Sequence, residues 1–199
     1  MGICNIIEFA FILGNGVTRL EVVPEELLLR GKVYGCNRIY QEFEPTVLVS
    51  TDRGMALEIQ LCGYSKRRQH YTRKQYVIEH SGARTLPQRI HDFSSGPAAC
   101  GLACLTDAQY IFLIGFDLKG QHNFINNIYA GTEHYKSKDS APTPWHSWET
   151  QISSLLTQFP GKQFVHVNPL HEFTSDRWLK HTNFRTMYLS EFKQVINNL

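Results

Sequence analysis

The sequence predicts an α/β domain built as three layers, a mainly parallel sheet with helices on both faces. Runs rich in β-branched and aromatic residues recur along the chain, each closing on Gly, Asn or Asp, and most lead into a helix-like segment. Most of these runs are continuously apolar rather than alternating, as strands buried on both faces are. The length of 199 residues suits one such domain, so residues 1–199 are read as a single unit.

The first run, Ile6 to Leu13, ends on Gly14-Asn15-Gly16. A helix follows from Pro24 to Leu29, with Pro at a first-turn position and Glu25 and Glu26 where the helix dipole favours acids. The second run is Lys32 to Asn37 and the third Thr46 to Asp52. A fourth, weaker strand is expected over Gln75 to Glu79. Ser95-Gly96-Pro97 opens a helix of Ala and Cys that reaches Leu105 and is slim enough to pack tightly on a sheet. The fifth run, Tyr110 to Asp117, is the most apolar. Trp148, Ile152, Leu155, Leu156 and Phe159 form a 3.6-period stripe over 145–159, and the sixth run is Gln163 to Pro169. Alternation of this kind describes a Rossmann-like, doubly wound fold.

Two segments break the rhythm. Residues 64–92 carry seven basic side chains (Lys66, Arg67, Arg68, Arg73, Lys74, Arg84, Arg89) against Glu79 and Asp92, a balance of +5. Residues 118–144 form a long polar stretch without periodicity, a length that in compact domains usually serves function.

Composition excludes several classes. With 42% apolar and 19% charged residues the chain is globular rather than disordered. A formal net charge of +2 is too small for a globally basic nucleic-acid coat. The apolar stretch at Ile6 to Leu13 is broken by Glu8 and is far too short for a membrane span. The first residues lack the basic region of a signal peptide. Five irregularly spaced cysteines point to a reduced, cytoplasmic setting, with Cys100 and Cys104 read as small buried side chains.

In open α/β sheets ligands bind outside the carboxyl ends of the strands. Those ends carry Gly14-Asn15-Gly16, Cys36-Asn37, Thr51-Asp52 and Gly115-Phe116-Asp117, with Ser94-Ser95-Gly96-Pro97 opening a helix. Glycine-rich backbone and a helix N-terminus suit a phosphate, and carboxamides and carboxylates suit ribose hydroxyls and base edges. Each motif alone also makes an ordinary turn; together they favour a nucleotide site. Arg19 occupies the third-glycine position of a dinucleotide fingerprint, and no Gly-Lys-Ser/Thr follows a strand. No Asp-x-Asp or His-Glu-x-x-His is present, so no metal ligands are assigned.

These residues carry a resemblance. Gly14-Asn15-Gly16, then Cys36-Asn37 with Tyr40 behind, Ser95-Gly96 opening the Ala/Cys helix and Gly115-Phe116-Asp117 resemble the Campylobacter-type bacterial sialyltransferases. His146-Ser147 before a helix and Asn168-Pro169 after the next strand continue the family's order, over roughly residues 5–170. The pattern is also similar to a wider group that includes archaeal hydroxymethyl-dihydropterin pyrophosphokinases.

The resemblance implies a nucleotide-sugar glycosyltransferase with a CMP-sugar-like donor, needing no cofactor and transferring with inversion to an acceptor hydroxyl. It implies nucleotide contacts from Gly14, Asn15, Gly16, Thr18, Asn37, Asp52 and Asp117, with Ser95 and Gly96 bordering the phosphate or sugar. Tyr129 and Tyr135 become the hydroxyl pair that steadies the departing phosphate, and His146 the general base. His134 is a rival base in the same loop; Trp145 and Trp148 make packing an alternative role for His146. His166 and His171 flank Asn168-Pro169; lining of the same cleft is one role for them, and a surface role is the one expected.

The chain departs from that family in three places. Val17-Thr18 replaces Pro-Ser, Asp52 stands where Asn is usual, and the stretch between Asn37 and Ser94 is short. Mg²⁺-dependent pyrophosphoryl transfer and a non-catalytic nucleotide- or polyanion-binding module remain alternatives. Nucleic acid along residues 64–92 is a less favoured partner, and a homo-oligomer is open.

Overall fold

A computed structural model describes residues 7–168 and 173–198. Eight strands form one sheet in the order β5-β4-β3-β2-β1-β6-β7-β8, every neighbouring pair parallel. They are β1 (Phe9–Leu13), β2 (Lys32–Cys36), β3 (Val47–Ser50), β4 (His70–Thr72), β5 (Arg84–Thr85), β6 (Tyr110–Ile114), β7 (Gln163–Asn168) and β8 (Phe184–Tyr188). Helices α1 (Pro24–Leu28), α2 (Arg53–Leu61), α3 (Tyr64–Arg67), α4 (Ser95–Cys104), α5 (His146–Gln158), α6 (Asp176–Leu179) and α7 (Leu189–Asn197) complete a three-layer, Rossmann-like α/β fold.

The expected two-sided burial is realised. Ala10, Ile12, Ile111 and Leu113 face one core with α4, α5 and α6, whereas Phe11, Leu13, Phe112 and Ile114 face the other with α1, α2 and α7. Phe11 stands beside Phe112 in register, ring centroids 5.3 Å apart. Nine of the ten residues of α4 are buried. Its small side chains allow this close approach; Gly101 packs directly on Ile90, and Cys100 and Cys104 are buried free thiols. Ile6, Pro169, His171 and Cys4 lie outside the described residues.

The strand expected over Gln75 to Glu79 is not formed. Lys74–Tyr76 makes a 3₁₀ turn, and the strand is β4 at His70–Thr72. The physical reason is the side chain of Gln60 on α2. It donates to the carbonyl of Tyr76 at 2.8 Å and accepts from the Ile78 amide at 2.7 Å, taking up the backbone groups a ladder would have used. The polar β4 hides from an apolar-run search because its inward residues, His70 and Thr72, are buried polar groups. β5, β8 and α7 were likewise not anticipated. β8 buries only Phe184, and α7 turns Phe192 and Ile196 inward from a helix begun where Glu191 accepts from the Tyr188 amide.

The basic stretch occupies the β4–β5 end of the sheet. Part of its charge is compensated, since Arg67 and Arg68 approach Glu44 at 3.8 and 2.6 Å and Arg84 lies against the Tyr71 ring. Among the described residues no helix is long and apolar enough to cross a membrane.

Candidate functional site

The chain runs outward from β1 through β2 to β5, then returns to the other side of β1 with β6. The switch point between β1 and β6 is where such sheets open a crevice. Here the loops after those strands are stitched together, the Gly14 amide donating to the Ile114 carbonyl at 2.8 Å and the Gly16 amide to Gly115 at 3.0 Å. A side chain on Gly14 would collide with the Gly115 carbonyl oxygen, and Gly115 itself has φ +73°. The glycines therefore let two backbones touch. Gly14→Ala is expected to cost about 1–3 kcal/mol of stability, the usual range for overpacking, and to weaken ligand binding by distorting the crevice. A urea titration reads the first effect; an unchanged midpoint would refute the close-approach argument.

Asp117 locks this junction. Its carboxylate accepts from the Thr18 amide at 3.1 Å, from the Thr18 hydroxyl, and from Asn126 Nδ2 at 3.1 Å. Asn126 Oδ1 in turn accepts from the Val17 amide at 2.9 Å, and the Ile128 amide donates to the Asn15 carbonyl at 2.9 Å. The long loop 118–144 is thereby tied across the strand ends.

The cleft so formed measures about 430 Å³ and is lined by Gly14, Asn15, Gly16, Asn37, Asp52, Ser95, Gly96, Asp117, His134 and Tyr135 among the residues singled out from sequence. Thr18, Tyr129 and His146 are not part of that lining. Thr18 is buried on Asp117. Tyr129 is buried behind the wall, its hydroxyl accepting from Arg19 at 3.0 Å, and its ring packs 5.6 Å from that of Tyr135. Burial pushes both phenols up, with Arg19 opposing at Tyr129, so both hydroxyls stay protonated donors. Burial also pushes the Cys36 thiol on the cleft floor up to about 12, which leaves it un-ionised at neutral pH.

Polar groups on the second and third strand ends are pre-oriented. Asn37 (φ +56°) accepts at Oδ1 from Ser95 Oγ at 2.9 Å, and Ser95 Oγ accepts from the Thr51 amide at 2.9 Å. The Asn37 NH₂ has no protein acceptor among the described residues. The N-terminus of α4, from Ser94 to Pro97, opens into the cleft with no acid in its first turn, a setting that favours an anion.

The two candidate bases differ sharply. His134 (φ +68°) points Nε2 at Glu58 Oε2, 3.0 Å away, and packs Nδ1 against Gly54. Glu58 also accepts from Tyr40 and, at 3.0 Å, from Gln41. Glu133 joins these two, giving one group of possible metal ligands whose atoms lie within 4.8 Å of one another. His146 opens α5 as an exposed residue, stacked on Trp145 at 4.3 Å, between the cleft-lining Thr143 and Trp148. It has no hydrogen-bond partner among the described residues.

His166 is not on the surface as expected. It sits buried on β7 with its ring edge-on to Trp178 at 5.7 Å, because β7 is an interior strand covered by α6 and β8. Sequence reading also missed Arg19, Asn126 and Trp148. Arg19 is the informative one: an arginine at a glycine position of a phosphate-loop pattern is buried here, paired with Glu42 at 2.9 Å and with Tyr129. Comparison with family models, curated proteins and solved structures returns no match for this chain, so the reading of the cleft rests on its residues and on the motif order.

Proposed function

We propose that the protein is a glycosyltransferase that takes a CMP-sugar-like donor and transfers the sugar, with inversion and without a metal, to an acceptor hydroxyl. The observation that carries this is the convergence at one switch point of the Gly14–Gly16 loop, the acid-free N-terminus of α4 and the carboxamides of Asn15 and Asn37. In this reading the phosphate lies against the α4 amides. Tyr135 donates to it from the cleft, backed by the ring of Tyr129, whose hydroxyl is held by Arg19. His146 takes the proton of the acceptor O–H, the oxygen attacks the anomeric carbon, and the bond from that carbon to the phosphate oxygen breaks. The nucleotide leaves with the electron pair. His146 is preferred to His134 because its ring nitrogens have no partner among the described residues, whereas His134 has one nitrogen on Glu58 and the other packed on Gly54.

A thermal-shift panel of CMP, CDP, UDP, GDP, ADP and ATP, with and without Mg²⁺, tests the reading. CMP at 100 times its Kd is expected to stabilise the fold by about 2.7 kcal/mol, with no need for Mg²⁺. Stabilisation by ATP only with Mg²⁺ would favour pyrophosphoryl transfer instead, with Glu58, Glu133 and His134 as the group suited to the cation. No shift with any nucleotide would overturn both.

A further inference from the structure

The cleft contains two carboxylates, and they are in opposite conditions. Asp117 is saturated by the Thr18 amide and hydroxyl and by Asn126. Asp52 is exposed, lines the same cleft, and has no hydrogen bond or ion pair from its side chain among the described residues. Its freedom is notable because of its position. Asp52 is the N-cap of α2, where a carboxylate ordinarily folds back onto the first helical amides. Here that bond is not made, although the first turn of α2 holds no other acid. The cap geometry is given up, and the carboxylate remains free at the cleft wall. Burial raises the pKa of Cys36 and of Tyr135, both of the cleft lining, and the nearby Asp52 adds a smaller push in the same direction.

We infer that Asp52 is a specificity-determining residue that accepts hydrogen bonds from a neutral vicinal diol of the ligand and disfavours a carboxylate in its place. An ionised carboxylate is acceptor-only and takes two O–H donors at once, which matches a diol. An acid brought to the same wall meets like charge, and among the described residues no cation is paired with Asp52 to offset it. In this arrangement the α4 amides serve the phosphate and Asp52 the hydroxyls, while Lys136 also lines the cleft as a cation. This inference rests on the nucleotide reading of the cleft. The diol belongs either to the ribose or to the transferred sugar, and binding separates the two.

Isothermal titration of the wild type and Asp52→Asn with CMP, 2′-deoxy-CMP, UDP-glucose and UDP-glucuronate is the test. The wild type is expected to show a preference of about tenfold, the value of a hydrogen bond to a charged group, in one of two pairs. Preference for CMP over its deoxy form places the diol on the ribose; equal binding of those two with UDP-glucose weakened in Asp52→Asn places it on the sugar. Preference for UDP-glucose over UDP-glucuronate, which share their hexose diols and differ only at C6, reads the exclusion of a carboxylate. Asp52→Asn should reduce that preference to about threefold or less while leaving unliganded stability unchanged, since the side chain has no protein partner. Nucleotides that bind with equal affinity to both proteins, or a wild-type preference for glucuronate, would overturn the role of Asp52 alone. If none of the four ligands binds the wild type, the nucleotide reading falls and this inference with it.

Discussion

Acidification from pH 6.5 towards pH 4 is expected to remove on the order of 6 kcal/mol of stability, about 3 kcal/mol from each of two buried histidines. Burial lowers both His70 and His166 from 6.5 to about 4. Among the described residues no carboxylate contributes to either shift. His70 is held between Ser50 Oγ at 2.7 Å and Ser65 Oγ at 2.8 Å, and His166 packs on Trp178 and Phe184. Because the folded value lies below the unfolded one, the unfolded chain binds more protons between pH 4 and 6.5. Stability is therefore complete above pH 6.5 and is lost as the pH falls through this window. Unfolding titrations at a series of pH values should give a slope approaching roughly 2.5 kcal/mol per pH unit near pH 5, the limit set by uptake of two protons. A free energy that stays flat between pH 6.5 and 5 would show that both rings titrate normally. His70→Asn, which keeps a polar group between the two serines, should halve the slope.

The same two residues show why part of the fold was legible in the sequence and part was not. β1, β3 and β6 are apolar on both faces, so their composition alone announces an interior parallel strand. β4 is equally interior, between β3 and β5, yet it reads His-Tyr-Thr. Its inward His70 is tolerable because serines from β3 and α3 take up both ring nitrogens, and such a partnership is long-range information; the hydroxyl of the other inward residue, Thr72, is buried without a partner among the described residues. Two-residue β5 and edge strand β8 carry too little buried surface to stand out from loop.

The candidate cleft was more legible than the sheet edges, for a topological reason. Gly14, Asn37 and Gly115 each follow a strand directly and Asp52 stands two residues beyond one, and parallel strands bring all such ends to one side. Residues of the loop 118–144 lack that guarantee. Tyr135 and Tyr129 stand six residues apart, yet one enters the cleft and the other turns back to Arg19. That division is decided by Asp117 and Asn126, whose bonds to residues 17 and 18 fix where the loop crosses the strand ends.

Replacing His146 by Ala is expected to lower turnover about 10²–10⁴-fold, the usual contribution of a positioned general base, with nucleotide affinity changed by no more than about twofold. Binding survives because His146 touches none of the groups assigned to the phosphate; its contact is the face of Trp145. The reference substitution is His134→Ala. It breaks the pair with Glu58 and opens space over Gly54, so it should loosen the cleft wall and weaken binding while turnover at saturation falls less than about tenfold. Release of the nucleotide from UDP-glucose or CMP-sialic acid, with water as acceptor, measures both variants without knowledge of the acceptor. The reverse outcome, with turnover lost at His134 and kept at His146, would place the base on the Glu58-paired ring and require that pair to swing away from Gly54 to reach the acceptor.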